Sequence, residues 1–166
     1  MIYRPPQEAD FPGMQALDLE TALHDDPRFE TLPERERAGR LGTSLAALRF
    51  YARSEHSFAA VEHPDDDPST VHGFVLAQSV WTGDRPVVWL SRLRVHPDAP
   101  AGTLPGLLHA VTKSAYDAAV YEIHLAADAA LLPHAQREGY KDAGLRHLVR
   151  HLGSRARTAP GADEDP

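Results

Sequence analysis

The chain has no cysteine, which excludes a disulfide framework, a thiolate nucleophile and a cysteine-ligated metal. It is also poor in positive charge: seventeen Lys and Arg stand against twenty-four Asp and Glu, a formal net charge of −7. Nucleic acid and anionic membrane surfaces both call for a basic face, so neither is expected as the main partner. Lysine is nearly missing, with Lys113 and Lys141 the only two. Together with the abundance of Ala, Pro and Gly this fits genome base composition as well as it fits stability, and it carries no functional conclusion. The opening MIYRPPQEAD lacks the apolar core of a signal peptide, and the cytoplasm is the expected compartment. There is no internal repeat, and no serine, histidine and acid stand at nucleophile-elbow spacing.

A length of 166 residues suits one domain with one sizeable core. The expected domain covers residues 1–152, and a tail at 153–166, GSRARTAPGADEDP, has no aromatic or large aliphatic side chain to anchor it. Residues 1–4 predict a short strand stopped by Pro5 and Pro6, which cannot donate to a ladder. Asp10 is placed as the N-cap of a helix whose buried face carries Phe11, Met14, Leu17 and Ala22, with Pro12 in the first turn. A polar connection at 23–33 leads to a second helix, 34 to about 54, with Leu41, Leu45, Leu48 and Tyr51 inward and Gly39 and Gly42 weakening it.

Three strand-like runs follow at 57–62, 71–80 and 87–95, the first two joined by the exposed turn HPDDDPST. Thr103 is expected to cap a third helix with Leu104, Leu107, Leu108, Val111 and Ala115 at helical spacing. A strand at 121–126, a short helix from about 128 to 138 and the apolar alternation LRHLVRHL complete an α+β, or mixed α/β, domain. Trp81 and Trp89 flank the turn TGDRP and are expected to pack across it. His147 and His151 lie four apart without a third ligand, and Asp65, Asp66 and Asp67 read as solvated turn residues, so no metal is expected.

The stretch LSRLRVHPDAPAGTLPGLLHAV resembles the central signature of the GCN5-related N-acetyltransferase (GNAT) superfamily. YRPPQEADFPGMQALD is similar to that family's first strand and helix, and AQREGYKDAG to its helix end and Gly-aromatic pair, so the resemblance covers about residues 1–152. It implies a central, mostly antiparallel twisted sheet with helices on both faces, and a bulged strand splayed from its neighbour. It also implies acetyl-CoA, or another acyl-CoA, as acyl donor, a small amine as acceptor, and a second copy of the chain as a homodimer partner. On that resemblance Leu93 and Val95 supply main-chain contacts to the pantetheine and acyl carbonyl, and Ala101, Gly102, Thr103 and Leu104 form the phosphate cradle.

The chain departs from the family where donors matter. The family loop runs Arg or Gln, two residues, Gly, one residue, then Gly or Ala; aligned without a gap, those positions hold Pro100, Thr103 and Pro105. Many members carry a tyrosine four residues before the Gly-aromatic pair, and here that position is Ala135, with His134 beside it. The family's frequent asparagine falls on Asp128, and the central strand offers Ser91 and Arg92 but no carboxylate. A general base would have to come from elsewhere, for instance Glu20, His24 or Asp25 in the first helix and loop. Three functions therefore stand: an N-acyltransferase with a weakened CoA loop, a catalytically degenerate relative that binds a ligand or a protein, and a fold of this kind serving another cofactor.

Overall fold

The structure is a computed structural model and describes residues 1–62, 70–127 and 131–144. Five strands, β1 (Ile2–Arg4), β2 (Phe58–Val61), β3 (Val71–Thr82), β4 (Arg85–Val95) and β5 (Ile123–Leu125), form one sheet in sequence order. Every pairing is antiparallel except β4 with β5, which is parallel. The helices are α1 (Phe11–Asp25), α2 (Glu34–Arg40), α3 (Leu45–Tyr51), α4 (Thr103–Asp117) and α5 (Leu132–Arg137).

Strand periodicity sends alternate side chains to opposite faces, and each face meets its own helices. Leu107, Leu108, Val111 and Ala115 of α4 bury against Val75, Ala77, Val88 and Leu90. Phe11, Met14 and Leu17 of α1, with Leu48 of α3, bury against Phe74 and Leu76 on the other side. Each large apolar side chain removed from water contributes about 1.5 to 3 kcal/mol. Helices on both faces of a mostly antiparallel sheet give the α+β class that the sequence order implies.

Several local expectations are corrected. Asp10 does not cap α1: its buried carboxylate accepts both terminal nitrogens of Arg4, at 2.6 and 2.9 Å, and the Gln7 amide at 2.7 Å. A guanidinium fork on β1 matches both carboxylate oxygens at once, a stronger arrangement than one capping bond. The connection after α1 is not uniformly polar, because a 3₁₀ turn, Phe29–Thr31, buries Phe29. The single helix expected from 34 to 54 is two, α2 and α3. Between them the Gly42 amide donates to Asp18 at 2.9 Å, and Ser44 caps α3 by accepting the Ala47 amide at 3.3 Å. Leu45, expected inward, is exposed.

Trp81 and Trp89 do not pack on each other. The β3–β4 turn is the pair Gly83 and Asp84, so Trp81 opposes Pro86 and Trp89 opposes Gln78. Trp81 is exposed, and the Trp89 ring lies 5.7 Å from that of His124. Asp65 to Asp67, Asp128, His147, His151, the closing alternation and the tail lie outside the described residues. Among the described residues no helix is long and apolar enough to cross a membrane, and no group of three or more His, Asp and Glu side chains converges as a metal site would.

Candidate active-site cleft

The register between β3 and β4 pairs Leu76 with Arg92 but Ala77 with Leu90, so Ser91 is an extra residue in β4. A bulge bends its strand and disrupts the ladder locally. It also resets the alternation: Leu90, Leu93 and Val95 lie with the α4 core, while Arg92 and Arg94 reach α1. On the other edge of β4, β5 pairs through Val88↔Ile123, Trp89↔His124 and Leu90↔Leu125, and the pairing ends at the bulge. There β5 ends, while β4 runs on to Val95, and a cleft of about 240 Å³ lies beside it, lined by residues 90–94 of β4 and by Leu125, Ala126 and Leu131. Leu93 thus lines the cleft with its neighbours; Val95 sits beyond it, against the α4 core.

On the α1 side of β4, Asp18 is fully buried and accepts from two arginines through one oxygen. Arg92 Nη1 reaches Oδ1 at 2.8 Å and Arg94 Nε reaches the same atom at 3.2 Å. Oδ2 accepts the Gly42 amide at 2.9 Å and the Thr43 hydroxyl at 3.0 Å. Arg92 Nη2 also donates to the Arg40 carbonyl at 3.0 Å. The carboxylate that the central strand lacks therefore arrives from α1. With both oxygens engaged by four donors it anchors β4 to the α2–α3 connection and is not free to act as a base. Sequence reading missed this network because Asp18 and Arg92 are 74 positions apart; the available signal was a polar residue beside Leu17 on the buried face of α1.

None of the three bases nominated from the sequence lines the cleft. Glu20 faces His96 Nε2 at 3.7 Å, and His24 and Asp25 are exposed at the end of α1. His96 accepts the Asp98 amide on Nδ1 at 3.1 Å, so its neutral ring carries the proton on Nε2, toward Glu20. The family's tyrosine position, Ala135, is buried and has no proton to give. His134 Nδ1 is buried without a partner, outside the cleft lining. Burial raises the Tyr140 hydroxyl above its usual pKa, and that hydroxyl has no hydrogen-bond partner among the described residues.

The loop before α4 corrects the expected role of Thr103. Gly102 occupies the cap position, Thr103 is the first helical residue, and its side chain turns inward. The Thr103 methyl packs where a Cβ on Gly73 would lie, 3.2 Å away, and its hydroxyl is buried without a partner. Thr103 therefore neither caps α4 nor crowds the outside of the loop. Pro100 and Pro105 have no amide proton. Ala99 donates to His96, Thr103 to Pro100 and Gly106 to Gly102, each at 2.9 Å. That leaves the amides of Ala101, Gly102 and Leu104 without a backbone acceptor at the positive end of a 15-residue helix.

Gly102 is open, since a Cβ added there would meet nothing within 4 Å, whereas a Cβ on Gly106 would fall 2.0 Å from Tyr3 Cζ. Gly106 thus makes room for Tyr3, whose hydroxyl donates to the Gly102 carbonyl at 3.0 Å. These residues fit acyl-CoA unevenly. The edge of β4 past its β5 pairing would offer main chain to a thioester and its pantetheine arm, and the amides of Ala101, Gly102 and Leu104 would face a diphosphate, whereas the Thr103 hydroxyl is turned inward.

Comparison with known proteins puts this geometry in context. Residues 1–164 match the profile of a family described as "Protein of unknown function (DUF1999)". TTHA1254 from Thermus thermophilus is 36% identical, with 93% of this chain and 100% of that chain covered and a TM-score of 0.68. AAC(6')-Iy, solved with the bisubstrate analog CoA-S-monomethyl-acetylneamine, is 16% identical over 92% of this chain and 98% of its own, with a TM-score of 0.62. A predicted acetyltransferase with acetyl-CoA from Clostridium acetobutylicum is 13% identical over 90% of this chain and 95% of its own, with a TM-score of 0.60. The chain has the fold of these acetyltransferases. No curated protein matches the sequence.

Proposed function

The chain belongs to the DUF1999 family, and we propose that it is an N-acyltransferase that takes the acyl group of acetyl-CoA, or of a related acyl-CoA, to a small amine. The observation that carries this reading is that the β4–β5 pairing stops at the Ser91 bulge while β4 runs on to Val95 beside a cleft. A strand that runs on past the end of its neighbour exposes main-chain donors and acceptors that a continuous ladder would consume. Acetyl-CoA, when bound, supplies an activated thioester. The main chain at Leu93 and Val95 holds the pantetheine arm, and amides near the bulge face the acyl oxygen, where donors are worth most as charge develops. At the other end Ala101, Gly102 and Leu104 offer amides to the diphosphate.

Acceleration on this reading comes mainly from holding amine and thioester together. With alanine at position 135 the departing thiolate is protonated by water, and among the described residues no side chain lining the cleft is a base. The cytoplasm is the compartment that suits these ligands.

A second reading, a binding module without turnover, is favoured by one specific observation: Pro100, Pro105 and the Tyr3–Gly106 contact have remade the CoA loop. Incubating the protein with acetyl-CoA and a panel of primary amines, with free thiol as the readout, separates the two. Thiol release above the amine-free blank is the expected result. Binding of acetyl-CoA without thiol release from any amine would replace the enzyme with the module.

A further inference from the structure

Resting on that acyl-transfer reading, we infer that the acceptor amine carries a carboxylate, and that Arg94 holds it on the α1 side of the cleft. The lining of the cleft contains two cations, Arg92 and Arg94, and among the described residues no acid. Behind it the two guanidinium groups share the single carboxylate of Asp18, and among the described residues neither has a second carboxylate within ion-pair distance. A half-buried cation in surplus is costly to hold, and an anionic ligand relieves that cost.

The two arginines divide the work. Arg92 is consumed by Asp18 and by the Arg40 carbonyl, and its guanidinium lies over Gly42, where a Cβ would come within 2.2 Å of Nε. Arg94 gives Asp18 only its Nε, and its Nη1 makes a long bond, 3.4 Å, to the Leu93 carbonyl. Five donors are available on a guanidinium, so the Nη1–Nη2 edge of Arg94 is left as a fork with the geometry that carboxylates match bidentately. That side chain is 25% exposed and lines the cleft. A carboxylate seated there directs the other end of a short molecule along β4 toward the bulge at Ser91. A cleft of about 240 Å³ takes a ligand of amino-acid size. Arg94 is then a specificity-determining residue that contacts the acceptor but takes no part in bond making.

The experiment measures binding without acyl-CoA, by NMR titration of the full chain with 3-aminopropanoate and with 3-amino-1-propanol, which differ only in the carboxylate. The carboxylate probe is expected to bind at least about tenfold more tightly, with the Arg94 Nε–Hε signal shifting. Arg94→Gln should abolish the preference, and Arg94→Lys, which keeps charge without the fork, should restore it in part. Equal binding of the two probes, no binding of either, or a preference unchanged in Arg94→Gln overturns the inference. If Arg94→Gln does not fold, the two probes on the natural protein decide alone. Carboxylate preference without thiol release in the amine assay keeps the anion site and removes the enzyme; thiol release without the preference does the reverse.

Discussion

The two ends of the cleft region differ in what they are made of. The edge of β4 beyond β5 is made of main chain: the β4–β5 pairing stops at one inserted residue, Ser91, and almost any side chains that keep the alternation would leave it intact. The loop before α4 is made of particular residues, because a phosphate cradle needs consecutive amides, small side chains and a cationic or amide partner. Here Pro100 stands in that loop and Pro105 in the first turn of α4, and Gly106, also in α4, is committed to Tyr3. A site assembled from backbone geometry outlasts sequence change better than one assembled from residue identities. On the proposed reading, the acyl end keeps the acetyltransferase form while the diphosphate end is rebuilt.

The comparison can be broken from the strand side with the largest effect. Asp18→Ala leaves two partly buried arginines without their carboxylate, and a loss of about 3 kcal/mol is expected in urea unfolding. The loop should be untouched by it, so the amide signals of Ala101, Gly102 and Leu104 should stay in place. A loss under about 0.5 kcal/mol would mean that the network does not hold β4.

The loop side is attacked by Gly106→Ala, whose added methyl would overlap the Tyr3 ring tip. Forcing that ring aside should cost about 1 to 3 kcal/mol, read as a lower thermal midpoint. The double variant with Tyr3→Ala removes the clash and should fall by less than the two single changes summed. Additive losses would show that Gly106 answers to something other than Tyr3.

A smaller effect, at the far half of α4, serves as a control. His56 is buried, its Nδ1 lying 3.0 Å from the Ser114 hydroxyl and its Nε2 2.9 Å from that of Ser79. Desolvation lowers its pKa below the ordinary 6.5, with Glu55 opposing in part. The unfolded chain therefore takes up a proton near pH 6.5 that the folded chain refuses. Stability is full above that pH and declines as pH falls below it. Urea midpoints at about pH 7.5 and about pH 5.5 should show the decline, and His56→Gln should flatten it. Ligand binding at the cleft should not change in that variant.

The regular part of this fold was legible because periodicity reports it directly. The stripe of Leu107, Leu108, Val111 and Ala115 and the alternation in β3 and β4 each state a face and a partner surface. Punctuation was harder to read. Gly39 and Gly42 weakened the long second helix without showing that Gly42 marks its break, since that depends on Asp18 and Arg92 arriving from elsewhere. Asp10 and Thr103 have good capping chemistry in isolation, yet Arg4 claims the first and the α4 core claims the second. The two tryptophans look paired in one dimension, but a two-residue turn fixes a register that separates them. In the site, the strand carrying the bulge was readable from its motif, whereas the Asp18–Arg92–Arg94 cluster was not, because charge partners dozens of residues apart leave no local pattern.

The central claim, an acyl end kept and a diphosphate end rebuilt, is tested most directly by titrating S-acetylpantetheine and acetyl-CoA calorimetrically into the natural protein. The two ligands share the thioester and its arm and differ in the diphosphate and nucleotide. With three free amides and no side-chain partner at the loop, acetyl-CoA should bind more tightly by no more than about a hundredfold. Pro100→Arg, which returns a cation to the loop, should widen that gap by about tenfold or more. An advantage of about a thousandfold in the natural protein would show an intact cradle and contradict the account, and no binding of S-acetylpantetheine at all would remove the acyl end from it.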